Sequence, residues 1–244
     1  MSKLSDRIRK AGRAESAPFG FAAAARPAPA PSLITVVRLN NDAGKAGDAA
    51  KAGADAVIVT GDAGKLKDVS GDAVLGVAAD KLDRRAASAL REAGADFVVL
   101  SQADLAEPML EEKLGFVLEL RSDLDDVRLR LLGDLGLDAM ILPAPAKPLT
   151  VERLVELRRV AALARTPLLV EDDGGAEASL LQLLRDSGVA GVVVPASAIG
   201  KLSGLRERIV ALPARGKRRE EHVEALVPAQ ATVGHDHDDD YDDD

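Results

Sequence analysis

A short glycine motif recurs four times along the chain and constrains its fold more than any other feature. Each copy ends a helix-like stretch and leads into an apolar run. The copies are Ala52-Gly-Ala-Asp55, Ala93-Gly-Ala-Asp96, Leu135-Gly-Leu-Asp138 and Ser187-Gly-Val-Ala190, with glycines 41, 42 and 52 residues apart. Glycine readily adopts the left-handed conformation that ends a helix, so each copy predicts a helix-to-strand junction. Recurrence at this spacing indicates four copies of a βαβα unit.

Eight apolar runs alternate with eight helix-like segments between Ser32 and Leu212. The runs are Ile34–Val37, Ala56–Val59, Val74–Ala78, Phe97–Leu100, Phe116–Leu120, Met140–Leu142, Leu168–Val170 and Val192–Val194. Continuous apolar runs are typical of parallel strands that are buried on both faces. Four βαβα quarters therefore predict an α/β fold, a compact (β/α)8 TIM barrel with short loops. An open doubly wound sheet is the alternative, but the even spacing of the units favours a closed barrel.

Composition excludes several classes of function. The chain is 47% hydrophobic and 30% charged, which allows one good core, and its net charge of -8 with only 2% aromatic residues argues against a nucleic-acid partner. The absence of cysteine excludes disulfides and thiolate chemistry and fits a reducing compartment. No apolar run approaches the roughly 20 residues of a membrane helix, and residues 1–25 lack the apolar centre of a signal peptide. We expect a cytoplasmic protein without a membrane span.

The N-terminal region, residues 1–31, is a basic segment followed by an Ala/Pro linker, Ala22–Pro31. Leu4 and Ile8 form a narrow apolar stripe among basic residues. One interpretation is a segment that docks on a partner or an anionic surface. The other is a solvated, weakly helical terminus, which the narrowness of the stripe favours. Phe19 and Phe21 are candidates to fill the underside of the barrel.

The C-terminal region, residues 213–244, is a charged tail that ends in HDHDDDYDDD. A block of like charge that cannot bury itself predicts disorder. The tail could bind divalent metal loosely or serve as an acidic interaction segment, but a solubilising role is favoured because no folded element fixes a coordination geometry. We predict no metal site. The barrel itself, residues 32–212, would then be flanked by two tails.

Three charged residues follow odd-numbered strands and are candidates for a catalytic group. Arg38, Glu119 and Glu171 come at the ends of the first, fifth and seventh apolar runs. Side chains of alternate strands share layers inside such barrels, so the three are expected to meet at the C-terminal end of the strands. Two interpretations stay open. Either one carboxylate has a raised pKa and acts on a substrate that Arg38 anchors, or the trio is an ionic plug in the barrel mouth.

Other polar residues of the predicted barrel have simpler explanations. Lys147 is a candidate Schiff-base or phosphate lysine, but its stiff proline-rich loop favours an ordinary surface lysine. Asp80 could be catalytic, yet it stands where an N-cap is expected for a helix over Lys81–Ala93. All three histidines follow Leu212, so the barrel lacks the commonest acid/base group at neutral pH.

The last two predicted βα units resemble a known family. EDDGG at 171–175 and GVAGVVVPASAIGK at 188–201 are similar to the phosphate-binding TIM barrels, the group of ribulose-phosphate-binding enzymes, indole-glycerol-phosphate synthase, thiamin-phosphate synthase and tryptophan synthase alpha. The resemblance implies that small residues after strands seven and eight hold a substrate phosphate: Gly174, Gly175, Ala196, Ser197 and Ala198. Asp172 and Asp173 depart from the family pattern, because their charge would repel a dianion unless they bind a metal or turn away.

Two functions therefore remain as hypotheses. The first is a barrel that binds a phosphorylated small metabolite or a flavin phosphate, with lyase, isomerase or synthase activity; the sequence requires no cofactor, and FMN is a candidate. The second is a non-catalytic interaction or regulatory module that binds protein partners through the N-terminal segment or the acidic tail. The glycine and serine loops favour the first hypothesis, whereas the short loops and the acidic residues beside them favour the second.

Overall fold

The structure, a computed structural model, describes residues 2–13, 31–40, 42–61, 66, 72–79, 81–121 and 123–213. These residues form a closed barrel in which each strand pairs in parallel with the next along the chain and β8 pairs with β1. The strands are β1 (Ile34–Asn40), β2 (Ala56–Thr60), β3 (Val74–Ala78), β4 (Phe97–Ser101), β5 (Gly115–Glu119), β6 (Ala139–Leu142), β7 (Leu168–Glu171) and β8 (Val189–Pro195). The predicted (β/α)8 barrel is confirmed, and the open doubly wound alternative is wrong.

Helices cover the outside of the barrel and close one of its ends. They are α1 (Lys3–Arg13), α2 (Ala46–Lys51), α3 (Arg84–Glu92), α4 (Asp126–Gly133), α5 (Val151–Ala164), α6 (Ala178–Asp186) and α7 (Leu202–Val210). The expectation of a full helical segment after every strand is wrong for the β4–β5 connection. It contains only the 3-10 helix Glu107–Leu110. No helix within the described ranges is long and apolar enough to cross a lipid bilayer.

Helix α3 begins three residues later than the sequence predicts. Lys81 has a φ of 54°, in the left-handed region, so a helix cannot continue through it. Asp83 is the N-cap instead, and its Oδ1 accepts the N–H of Ala86 at 2.7 Å. Asp80, the predicted cap, lies outside the described residues.

The four motif glycines adopt the predicted conformation. Gly53, Gly94, Gly136 and Gly188 have φ values of 100°, 102°, 70° and 97°, which side chains rarely adopt. Each glycine follows a helix and precedes an even-numbered strand. The internal repeat is therefore a repeat of one helix-to-strand junction, as expected from the sequence.

Phe97 fills part of the barrel interior because the strand beside it carries a glycine. A Cβ atom at Gly76 of β3 would lie 2.1 Å from the Phe97 ring. The rest of this inner cluster is aliphatic and includes Ile34, Val117 and Ile141, all at most 2% exposed. A second, larger core lies between the strands and the surrounding helices. An aliphatic interior is expected of a chain with only 2% aromatic residues.

Helix α1 packs across the N-terminal end of the barrel. Leu4 is fully buried and Ile8 is 9% exposed, and both belong to the same apolar cluster as the barrel interior. The Asp96 carboxylate accepts the N–H groups of Lys3 and Leu4 at 2.9 and 3.0 Å, so it caps the helix. The favoured interpretation of a solvated terminus is wrong, because the open end of the barrel receives the stripe. The proposed plug residues 19 and 21 lie outside the described part of the chain.

Aspartates of the glycine motif form hydrogen bonds between elements at this end of the barrel. Asp55 Oδ2 accepts the N–H and the hydroxyl of Thr35 at 2.9 and 3.1 Å and lies 3.4 Å from Arg206 Nη1. Asp138 accepts a hydrogen bond from the Ser2 side chain, and burial raises the pKa of its carboxyl. Its Oδ2 is buried and has no hydrogen-bond partner among the described residues. Three of the four copies of the motif thus supply a carboxylate as well as the glycine of the turn.

Candidate functional site

Arg38 joins two carboxylates at the C-terminal mouth of the barrel. Its Nη2 lies 3.2 Å from Glu119 Oε1 and 3.5 Å from Glu171 Oε1. Arg38 lies near the C-terminal end of β1, whereas Glu119 and Glu171 are the last residues of β5 and β7. The three side chains are 19%, 14% and 33% exposed, respectively. The predicted ion pairing of Arg38 is therefore confirmed, and it follows from the layering of alternate strands. A catalytic role for the trio stays a prediction.

The network around Arg38 extends further than the sequence predicted. Arg121 Nη2 lies 2.7 Å from the same Glu119 oxygen, although the Arg121 side chain is 73% exposed. Among the described residues, Glu119 thus contacts two guanidinium groups and Glu171 contacts one. The Nε of Arg38 is buried and has no hydrogen-bond partner within the described residues. An unpaired buried donor is costly, so this atom is suited to an acceptor that enters the mouth.

The loop after β7 is closed by its own aspartates. Asp172 Oδ2 accepts the N–H groups of Gly174 and Ala176 at 2.8 and 3.2 Å, and Asp173 Oδ1 accepts the N–H of Gly175 at 2.9 Å. These short-range bonds are the local turns that aspartate favours. Two of the predicted phosphate donors, the N–H groups of Gly174 and Gly175, therefore donate to carboxylates of the same loop.

Lys147 links the loop after β6 to the loop after β7. Its Nζ lies 2.9 Å from Asp172 Oδ1 and 2.8 Å from Asp173 Oδ1. The bond to Asp173, followed by that to Asp172, raises the pKa of Lys147, and Lys147 and the Gly175 N–H lower the pKa of Asp173 to about 2. Lys147 is 42% exposed, as expected for a surface lysine, but its two carboxylate partners were not predicted. Because loops of neighbouring strands meet at one edge of the barrel, the opposite charges were a usable signal.

The loop after β8 packs closely against the β7 loop. It forms the 3-10 helix Ala196–Lys201, which continues into α7. Gly174 has a φ of 81°, and a Cβ atom there would lie 2.9 Å from the Cβ of Ala198. Ala198 is buried and Ser197 is exposed. The structure thus brings the five predicted phosphate-binding residues to one place, and their binding of phosphate stays a prediction.

A cavity of about 300 Å³ lies beside these loops at the barrel mouth. Its charged lining consists of Arg38, Glu171, Asp172 and Asp173. Its apolar lining comes from the loop after β6 and from the end of β8: Ala144, Val193, Val194 and Pro195. In the part of the chain that the structure describes, no group of three or more potential ligands could hold a metal ion. The cavity therefore lies between two members of the trio, Arg38 and Glu171, and the aspartates of the loop after β7.

Comparison with known proteins gives the fold and no closer relationship. No protein-family model and no curated protein matches the chain. Among solved structures, a variant of the tryptophan synthase alpha-subunit from Pyrococcus furiosus is 14% identical with a TM-score of 0.57, covering 73% of this chain and 97% of that one. The thiamine phosphate pyrophosphorylase of the same organism is 16% identical with a TM-score of 0.54, covering 72% and 95%. Both are among the barrels that the β7 and β8 loops resemble, which confirms the predicted resemblance at the level of fold.

Proposed function

We propose that this barrel binds a small phosphorylated ligand at its mouth, with the phosphate group in the place of the Asp173 carboxylate. The proposal rests on the two hydrogen bonds that the Asp173 carboxylate accepts. Its Oδ1 accepts bonds from the Gly175 N–H and from Lys147 Nζ, although the side chain is 71% exposed to solvent. A backbone N–H in a glycine turn and an ammonium group are donors that bind oxyanions. An exposed carboxylate can leave them when a ligand arrives.

The cavity beside Asp173 supports the proposal. A volume of about 300 Å³ accommodates the body of a small metabolite. An acceptor atom of such a ligand would face the unpaired Nε of Arg38. Glu171 lines the same cavity and has one arginine partner, so it is the carboxylate best placed to exchange a proton with the ligand. Lyase, isomerase or synthase chemistry, as the family resemblance implies, would depend on this residue.

A non-catalytic barrel is the second candidate, and a specific observation favours it. The charges of the mouth are paired with one another: Arg38 pairs with two carboxylates, and Lys147 pairs with both Asp172 and Asp173. A network whose charges are paired without a ligand can serve stability alone. In that case the barrel is a scaffold for partner binding.

Thermal unfolding with added ligand separates the two candidates. The probes are inorganic phosphate, ribose 5-phosphate and FMN, each added to the wild type, to Asp173→Asn and to Ser197→Asp. Specific binding raises the melting temperature by mass action. Asp173→Asn should respond more strongly than the wild type because the competing carboxylate is neutral. Ser197→Asp should lose the response because it places a charge at the start of the 3-10 helix. Asp134→Asn, an exposed change at the C-cap of α4, is the matched control and should behave as the wild type.

Two outcomes would contradict the proposal. If neither the wild type nor Asp173→Asn responds to millimolar probe, the mouth does not bind phosphate and the non-catalytic function is favoured. If Ser197→Asp responds as strongly as the wild type, the anion binds elsewhere, and the basic residues of α1 are then the first place to examine.

A further inference from the structure

Three cations at the N-terminal end of the barrel have no carboxylate partner among the described residues. Lys3, Arg7 and Lys10 of α1 line a cavity of about 660 Å³ at this end, and none of them lies within 4.0 Å of a described carboxylate oxygen. All three are exposed. We call these residues the basic face of α1. The mouth site lies at the opposite end of the strands, so it does not use them.

Two of the three carboxylates that line this cavity contact other groups. Asp96 caps the backbone of α1, and Asp6 pairs with Arg9 of the same helix. Only Asp72 lines the cavity without such a contact in the described part of the chain. The positive charge of the basic face is therefore available to an anion from outside the described residues.

The fixed orientation of α1 limits what that anion can be. Leu4, Ile8 and Ala11 are buried against the barrel interior, so the apolar stripe of the helix is already covered. A membrane-surface helix needs its apolar face free to enter the lipid. The basic face consequently suits a soluble polyanion better than a bilayer.

The described chain ends at the same end of the barrel. Pro213 follows α7, and its carbonyl accepts a hydrogen bond from Arg185 in the last turn of α6. That turn leads through Gly188 into the N-terminal end of β8. The residues after Pro213 therefore begin at the end of the barrel that α1 covers.

A suitable polyanion lies within the remaining 31 residues, 214–244. Seven of the last nine residues are aspartates, and no lysine or arginine follows Arg219. The 23 residues that follow Pro213, as far as Asp236, would span about 75 Å if extended and about 25 Å as a flexible coil. Either distance reaches across one end of a small barrel. A tether of this length keeps the local concentration of the tail at roughly millimolar, so a weak contact suffices.

We infer that the acidic segment 235–244 of this chain docks on the basic face of α1. The docked tail covers the cavity at the N-terminal end and shields the basic face from other polyanions. An external polyanion would then bind only after it displaces the tail. This inference is independent of the proposed mouth site, and either can fail without the other.

The chain carries a natural reporter for this contact. Tyr241 is the only tyrosine and there is no tryptophan, so intrinsic fluorescence anisotropy of the full chain reports the mobility of the tail alone. In about 20 mM NaCl, the anisotropy of the full chain should be well above that of a free 234–244 peptide. In about 0.5 M NaCl it should fall roughly twofold, because salt screens the attraction between the tail and the basic face. Arg7→Glu with Lys10→Glu should give the same fall at low salt. Arg84→Glu with Arg85→Glu, an equal charge change at exposed positions at the start of α3, should leave the anisotropy high.

Several results would overturn the inference. Low anisotropy of the full chain at low salt means that the tail does not dock, and high anisotropy in the Arg7→Glu, Lys10→Glu variant means that it docks elsewhere. Anisotropy that falls on dilution indicates the tail of a second copy. Equal binding of heparin by the full chain and by a chain ending at residue 233 shows that the tail does not occupy the basic face. If the α1 variant loses helix by circular dichroism, replacing Asp238, Asp239 and Asp240 by asparagine tests the same contact from the tail side.

Discussion

Replacing Arg38 by methionine removes the cation that holds two carboxylates at the mouth of the barrel. Methionine keeps most of the length of the side chain and removes only the guanidinium. Glu171 then has no cation within ion-pair distance in the described residues, and Glu119 keeps Arg121 at 2.7 Å. The substitution therefore tests whether the network stabilises the fold.

The size of the effect follows from how buried each partner is. Removing one partner of a fully buried ion pair costs on the order of 3–5 kcal/mol. Here Glu171 is 33% exposed and can hydrate, and Glu119 stays paired. We expect a loss of about 1–2 kcal/mol, or a fall of roughly 2–8 °C in melting temperature for a chain of this size.

Urea denaturation followed by circular dichroism measures this loss. Arg121→Met is the control, because its side chain is 73% exposed and its loss should cost less than about 1 kcal/mol. Adding Glu119→Leu and Glu171→Leu to Arg38→Met should restore stability if the trio is only an ionic plug. An unchanged midpoint in Arg38→Met would refute the reasoning, since the group would then be fully hydrated.

Three further substitutions test the packing of the barrel. Leu4→Asp buries a charge where α1 meets the barrel and should cost about 3 kcal/mol or more in urea unfolding; an unchanged midpoint would mean that α1 does not pack there. Gly76→Ala should cost about 1–3 kcal/mol because the new Cβ collides with Phe97, and Phe97→Leu should recover part of that loss. For Asp138, burial raises the pKa of the carboxyl in the folded state above 3.8. The contribution of this carboxyl to folding stability is therefore fully present below pH 3.8, where it is protonated, and is lost as pH rises through the folded-state pKa. Asp138→Asn should therefore be more stable than the wild type at pH 7 and match it near pH 3; a variant that is less stable at pH 7 would contradict this.

The sequence determines the barrel because its pattern is local and repeated. The glycines of the four motifs mark the junctions, and the bounds of α5, Val151–Ala164, agree with the apolar periodicity. The meeting of Arg38 with Glu119 and Glu171 was predictable as well, since barrel closure places the ends of alternate strands in one layer. These features depend on the order of elements and on no particular side-chain conformation.

Features that depend on long-range packing could not be predicted. Two apolar residues, Leu4 and Ile8, are too few to indicate burial until the barrel end that receives them is known. The N-cap of α3 is Asp83 and not the predicted Asp80, because Lys81 adopts a left-handed conformation. The sequence around Lys81 does not specify that conformation. The contacts of Lys147 with Asp172 and Asp173 likewise depend on the relative positions of two loops, of which the sequence indicates only the opposite charges.

The affinity of inorganic phosphate for the wild type and for Asp173→Asn, measured by isothermal titration calorimetry, tests the proposed site most directly. If the Asp173 carboxylate occupies the position that a ligand phosphate would take, the carboxylate competes with the phosphate and repels it. The asparagine variant lacks this negative charge. The dissociation constant of Asp173→Asn should then be about tenfold lower than that of the wild type. Equal dissociation constants, or no binding heat from either protein, would contradict the proposal.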